Sequence, residues 1–194
     1  GVKRLGGVTY RVQSDLIEAG SFLAAAAVTG GDLTVAGVSP EELAVIERPF
    51  RRLGIAWSWE NGQVRLVGRG SRRIARDFGS AMPKIEDGPW PAFPSDLMSV
   101  AIVAATQARG MVLFFEKMFE SRMYFVDQLI GMGAHIVQCD PHRVIVSGAT
   151  RLQGLHIASP DIRAGMALVI AALAARGVSR IDNAQSIDRG YETL

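Results

Sequence analysis

Hydrophobic and polar positions recur along this chain in a fixed order. Three segments open alike, with a short apolar run, then an aspartate, then an Ala-rich helical stretch that closes at glycine. The first spans residues 8–12, Asp15, and 16–29, closed by Gly30-Gly31. The second opens its helix at Asp96 and closes it at Gly110. The third spans 155–158, Asp161, and 162–176, closed by Gly177. Aspartate suits a helix start because its carboxylate accepts orphan backbone N–H groups of the first turn. Glycine suits the end because it takes the left-handed conformation at little cost.

A β-rich run follows each closing glycine, at 32–38, 111–117 and 178–183. Second, amphipathic helices are expected at 40–53 and 120–132, closed by Gly54 and Gly133. The distance from Gly31 to Gly54 is 23 residues, and so is that from Gly110 to Gly133. Hairpins come next, 55–59 with 63–67 around Asn61-Gly62, and 134–139 with 143–147 around Asp140-Pro141. Asn-Gly is a strong hairpin signal, and Trp57 and Trp59, alternating with Ala56 and Ser58, face one side of the first hairpin.

The unit is βαβαββ, present about two and a half times, since the next helix-closing glycine falls at about position 200. The expected organisation is a single α/β (α+β) domain over 1–194. Repeat one covers 8–68, repeat two 72–148 with an inserted loop at 76–94, and a partial repeat three 151–194. The insertion holds Gly88-Pro89-Trp90-Pro91-Ala92-Phe93-Pro94, which regular helix or central strand excludes. Conformationally locked loops on a regular scaffold are where function tends to sit. An uncovered edge on the incomplete repeat would invite self-association.

Composition narrows the class. Hydrophobic residues make up 48% and charged residues 21% of the chain, which is globular and not disordered composition. The net charge of +2 comes without a basic tract, so nucleic acid is not an expected partner. Cys139 is the one cysteine, so no disulfide forms within the chain, and it reads as a packing residue. His135, His142 and His156 lack metal-ligand spacing, and neither a metal nor a cofactor is expected. The longest weakly polar stretch, 164–175, is too short to span a bilayer. The first seven residues read as a linker and not a signal peptide. A reducing, cytoplasmic setting fits one cysteine. Met98, Met118, Met123, Met132 and Met166 are placed in the core.

Four groups of residues could carry chemistry. Asp96, after Phe93-Pro94-Ser95, is an N-cap like Asp15 and Asp161, a carboxylate that takes a substrate proton, or both at once with one oxygen for each task. Arg122 sits where a helix start is expected, a place for a cation only if it serves an anion. Asp161 and Arg163 are either a cap with a local ion pair, or an arginine steadied by its aspartate near a polar ligand. Asp188-Arg189-Gly190-Tyr191 offers Arg189 as a bidentate clamp for carboxylate or phosphate.

Across these motifs the chain resembles the enolpyruvyl transferases, and among them the branch acting on UDP-N-acetylglucosamine. The carrying segments are Asp15-Leu16-Ile17-Glu18-Ala19-Gly20-Ser21-Phe22, Pro91-Ala92-Phe93-Pro94-Ser95-Asp96, Phe119-Glu120-Ser121-Arg122-Met123, Leu129-Ile130-Gly131-Met132-Gly133-Ala134, Ser159-Pro160-Asp161-Ile162-Arg163-Ala164 and Ile187-Asp188-Arg189-Gly190-Tyr191. They stand in the family's order over almost the whole chain. The branch acting on shikimate 3-phosphate shares the fold and is the alternative. A non-catalytic module that binds a nucleotide sugar or a protein is another.

The resemblance implies an inside-out α/β prism, helices within and sheets outside, forming one of two domains around a cleft. It implies transfer of the enolpyruvyl group of phosphoenolpyruvate to the 3-hydroxyl of UDP-N-acetylglucosamine with release of phosphate, in peptidoglycan precursor synthesis. Asp96 would contact that hydroxyl and help move its proton. Arg122 and Arg189 would bind the phosphoenolpyruvate side, with Arg189 also counted as catalytic. Asp161 and Arg163 would line the cleft, and Met118 and Phe119 would border the uridine. The family's phosphate-binding lysine and mobile-loop cysteine have no counterpart here, and Cys139 cannot stand in because it lies on a hairpin of the other domain. The partner domain supplies that half of the site, so this chain alone is expected to be inactive. Arg189 is expected to be the least firmly held site residue.

Overall fold

A computed structural model describes residues 1–191, so the last three residues of the expected third repeat lie outside the described part. Helix α1, Leu16–Thr29, begins at Asp15, whose carboxylate accepts from the backbone N–H groups of Ile17 and Glu18. It ends at Gly30, which is left-handed at φ 74° and returns its N–H to the last turn. Strand β1, Asp32–Val35, follows. Helix α2, Pro40–Arg52, starts with a reciprocal capping box between Ser39 and Glu42. Leu43, Ile46 and Phe50 form its buried stripe. Strands β2, Ser58–Glu60, and β3, Gln63–Val67, make the Asn61-Gly62 hairpin. The sheet order is β1-β3-β2, all antiparallel.

The second set runs β4 (Lys84–Glu86), α3 (Met98–Thr106), β5 (Gly110–Phe115), α4 (Val126–Gly131), β6 (Ile136–Asp140) and β7 (Arg143–Gly148). Its sheet order is β4-β5-β7-β6. Without β4 it is the first sheet again, with a strand antiparallel to the inner strand of a hairpin. The third set has β8 (His156–Ala158), α5 (Ile162–Ala174) and β9 (Arg180–Asp182), then a 3-10 segment, Ala184–Arg189. Strands β8 and β9 are parallel, as β4 and β5 are.

Helices α1, α3 and α5 pack on one another in the interior. All nine residues of α3 are buried. Alanine and glycine are what let them approach. A Cβ on Gly20 of α1 would lie 2.8 Å from Leu97 Cδ1, at the start of α3. The sheets wrap outside this bundle, giving the inside-out α/β prism. Two glycines mark where each sheet closes on its helix. A Cβ at Gly68, after β3, would meet Gly31 O and Ala26 O, and one at Gly148, ending β7, would meet Ala105 O and Ala108 O. Only glycine permits that backbone approach.

Several expected elements differ. Residues 8–12 form no strand, and Val8, Tyr10 and Val12 are exposed. A strand needs a ladder partner, and among the described residues β1 is paired only to β3. The inserted loop holds β4, with irregular chain on both sides of it, from β3 to β4 and from β4 to the turn carrying Asp96. The helix expected at 120–132 is only Val126–Gly131. Residues 120–125 are turns, and Ser121 has φ 68°, which a right-handed helix cannot contain. Cys139 is exposed and not packed. Met118 is 44% exposed, while Met98, Met123, Met132 and Met166 are buried as expected. Among the described residues, no helix is long and apolar enough to cross a membrane.

Candidate active site

The start of α1 lies near the turn Ser95–Leu97, and Ser99 Oγ of α3 donates to the Arg163 carbonyl at the start of α5. The three interior helices therefore begin at one end of the bundle. Their partial positive ends gather there, favouring anions.

At that end the three aspartates part ways. Asp15 and Asp161 cap their helices; Asp161 Oδ1 accepts from Arg163 N at 2.7 Å and Ala164 N at 2.9 Å. Asp96 does not cap. It lies in the 3-10 turn Ser95–Leu97, one step ahead of α3, whose N-cap position is Leu97 with no side-chain bond. Its carboxylate is shared by two arginines. Arg122 Nη2 donates to Oδ1 at 3.2 Å, and Arg163 Nη2 lies 2.9 Å from Oδ2. The side chains of Asp96, Arg122 and Arg163 are 35%, 25% and 22% exposed, a cluster set into the surface but open to a ligand.

Each arginine is placed by more than this carboxylate. Arg122 sits in the turns before α4, not in a helical first turn, and stacks over the Phe119 ring at 4.7 Å. Arg163 is not steadied by Asp161, as the local reading had it, because that carboxylate is committed to backbone N–H groups. It reaches across to Asp96 of the neighbouring set. Among the described residues its Nη1 is buried without a well-formed hydrogen bond. The Tyr191 hydroxyl lies close to it and shares a 2.9 Å hydrogen bond with Ser21 Oγ of α1. Burial pushes the Tyr191 phenol up, so it stays neutral.

Arg189 is exposed at the end of the 3-10 segment and makes no ion pair among the described residues. Its neighbour Gly190 packs on Ile162 and comes near Arg163 Nη1, which brings the backbone of Arg189 to the same end of the bundle. Met118 and Phe119 lie on the loop after β5, both about half exposed. The structure thus brings Asp96, Arg122, Arg163 and Phe119 into contact, leaves Met118 and Arg189 beside them, and gives Asp161 to its own helix.

The local motifs did not show what lies beneath. Asp87 and Glu116 are fully buried side by side where β4 and β5 end. Ser95 Oγ donates to the Glu116 oxygens at 2.9 and 2.8 Å. Burial, reinforced by the hydrogen bond and negative charge of Asp87, pushes the Glu116 carboxyl up to about 7. The one available signal was Glu116 directly after the apolar run 111–115; Asp87, preceded by Glu86, carried none.

Comparison with known proteins gives the class first. The fold matches the enolpyruvyl transferase NikO from Streptomyces tendae with a TM-score of 0.79, over 93% of this chain and 41% of that one, at 22% identity. It matches EPSP synthase from Acinetobacter baumannii with a TM-score of 0.60, over 89% of this chain and 40% of that one, at 16% identity. At such identities the likeness concerns the fold alone. The chain belongs to the EPSP synthase (3-phosphoshikimate 1-carboxyvinyltransferase) family, whose profile matches residues 1–194. Its curated relatives narrow this further. It is 52% identical over 194 residues to the UDP-N-acetylglucosamine 1-carboxyvinyltransferase of Borrelia garinii subsp. bavariensis, and 53% identical to that of Bradyrhizobium diazoefficiens. It covers all of this chain but 45% of each relative, so the chain spans about half the length of the curated relatives it matches.

Proposed function

We propose that this chain is part of a carboxyvinyltransferase that moves the enolpyruvyl group of phosphoenolpyruvate to the 3-hydroxyl of UDP-N-acetylglucosamine. The observation that carries the reading is the release of Asp96 from capping. A carboxylate of the scaffold's capping type is instead held by two arginines on an open face. The roughly 50% identity to relatives named for this reaction supports the choice of substrate.

The chemistry fits the groups present. Asp96 accepts the proton of the 3-hydroxyl as its oxygen bonds to C2 of phosphoenolpyruvate, while C3 gains a proton. Loss of a proton from C3 then re-forms the double bond, and the C2–O bond to phosphate breaks. Charge grows on the phosphate and carboxylate oxygens, which Arg122, Arg163 and Arg189 are suited to hold. Met118 and Phe119 offer an apolar border for the uridine. Asp161 serves the cleft through the helix start that carries Arg163. The remaining half of the cleft comes from a partner domain, which closure brings onto this face. A cytoplasmic place in peptidoglycan precursor synthesis, and hence in cell-wall growth and division, follows from that reaction.

Titration calorimetry on the full-length protein tests the substrate. Binding of UDP-N-acetylglucosamine, and not of shikimate 3-phosphate, is expected. Preference for shikimate 3-phosphate would move the protein to the other branch, and binding of neither would favour a non-catalytic module.

A further inference from the structure

We infer that the buried Asp87–Glu116 carboxyl pair is a positioning device that sets the loop 117–119 and the Asp96 turn in one fixed relation. The inference deepens the functional reading above and rests on it.

The parallel ladder of β4 and β5 ends at Glu86 opposite Phe115. The next residue on each strand is an acid, and both side chains are fully buried. Beyond this point their carboxyl groups take over from the ladder. Asp87 accepts from Lys117 N at 2.5 Å and Met118 N at 3.3 Å. Glu116 Oε1 accepts from Met118 N and Phe119 N, both at 3.1 Å. Three consecutive N–H groups are thus held by two side chains. The remaining bonds of Glu116 come from Ser95 Oγ, one residue before Asp96. A pair that served only to end the sheet would have no need of Ser95. This one joins the two segments that present Phe119 and Asp96.

Burial and the neighbouring Asp87 keep a proton on the Glu116 carboxyl up to about pH 7, and that proton lets Glu116 donate to Asp87. The pair then acts as one unit with a donor inside and acceptors outside. Glutamine at position 116 reproduces that arrangement, because its amide donates to Asp87 while its carbonyl accepts the backbone N–H groups. Alanine leaves the N–H groups of Met118 and Phe119 and the Ser95 hydroxyl without their acceptor, a cost that falls on the loop itself.

The test uses the full-length protein, with calorimetry on UDP-N-acetylglucosamine and steady-state phosphate release. Glu116→Ala is expected to weaken UDP-N-acetylglucosamine binding by roughly tenfold or more, in line with the loss of several hydrogen bonds. The KM for phosphoenolpyruvate at saturating sugar nucleotide should change by less than about twofold. Glu116→Gln should restore near-parental binding. Ser95→Ala should lower kcat several-fold and leave the KM for sugar nucleotide unchanged, since it cuts only the link to the Asp96 turn. Parental binding by Glu116→Ala would overturn the inference, as would a Glu116→Gln protein as weak as the alanine variant, or full kcat in Ser95→Ala. The serine variant decides the matter if Glu116→Ala fails to fold. A parental protein that binds no UDP-N-acetylglucosamine would instead sink the functional reading, a result distinct from parental binding with an indifferent Glu116→Ala.

Discussion

Asp15 and Asp161 stand at helix starts and spend their carboxylates on backbone N–H groups two and three residues ahead. Asp96 stands at the corresponding place and does not. The difference lies in the approach to the helix. Residues 87–94 separate β4 from the turn, whereas β8 runs into Asp161 within three residues. The added loop delivers Asp96 on a 3-10 turn ahead of α3, too early to reach the orphan N–H groups. The same residue type has a local task in two places and a long-range one in the third. Its partners, Arg122 and Arg163, are 26 and 67 residues away.

Substitutions at the three aspartates should separate these tasks. On the proposed reading the largest effect is on activity. Asp96→Ala in the full-length protein should lower kcat by roughly 10²–10⁴-fold, the range of a positioned acid–base group. Its melting temperature should hardly change, because no cap is lost. Arg163→Lys comes next. It keeps the charge but not the fork, so a fall of about 10²-fold in kcat/KM is expected, as for removal of one donor from a charged transition state. A kinetic result close to the parent would leave Arg163 a structural partner of Asp96.

The smaller effects are on stability. Asp161→Ala removes a cap and should cost about 1 kcal/mol by denaturant titration, with Asp15→Ala alike. A cost from Asp96→Ala as large as either would erase the contrast. pH gives the last test. Glu116 has its ordinary value of 4.5 when unfolded and about 7 in the folded protein. The folded state keeps a proton that the unfolded chain has lost, so stability falls as pH rises from about 4.5 to about 7. Glu116→Gln has no proton to lose, and its stability relative to the parent should rise across that window. A difference that stays flat would mean Glu116 is not raised.

What could be read from the chain follows the same division between local and distant. α1, α2 and the two hairpins were legible because their signals sit within a few residues: an Asp or Ser cap, a closing glycine, an Asn-Gly turn. The 23-residue spacing carried the plan of the sheets. Strand β4 was hidden because three residues, Lys84-Ile85-Glu86, give too short an alternation to register, and its parallel partner β5 is remote. Residues 8–12 alternate convincingly but have no ladder to join in the described structure. The residues 120–125 carry helix-compatible side chains, and only the backbone shows that Ser121 breaks the run. At the site, sequence reasoning named Asp96, Arg122 and Arg163 but paired Arg163 with its near neighbour. Sequence distance hides an ion pair that the packing of α3 against α5 creates. Asp87 and Glu116 were missed for the same reason, since neither acid is unusual until both are buried together.

The central claim is that Asp96 serves a substrate and not a helix. Phosphate release from phosphoenolpyruvate by full-length Asp96→Ala protein, with UDP-N-acetylglucosamine present and alongside Asp15→Ala as control, tests it most directly. The account predicts near-complete loss in Asp96→Ala and a rate close to the parent in Asp15→Ala. Release at the parental rate by Asp96→Ala would contradict it.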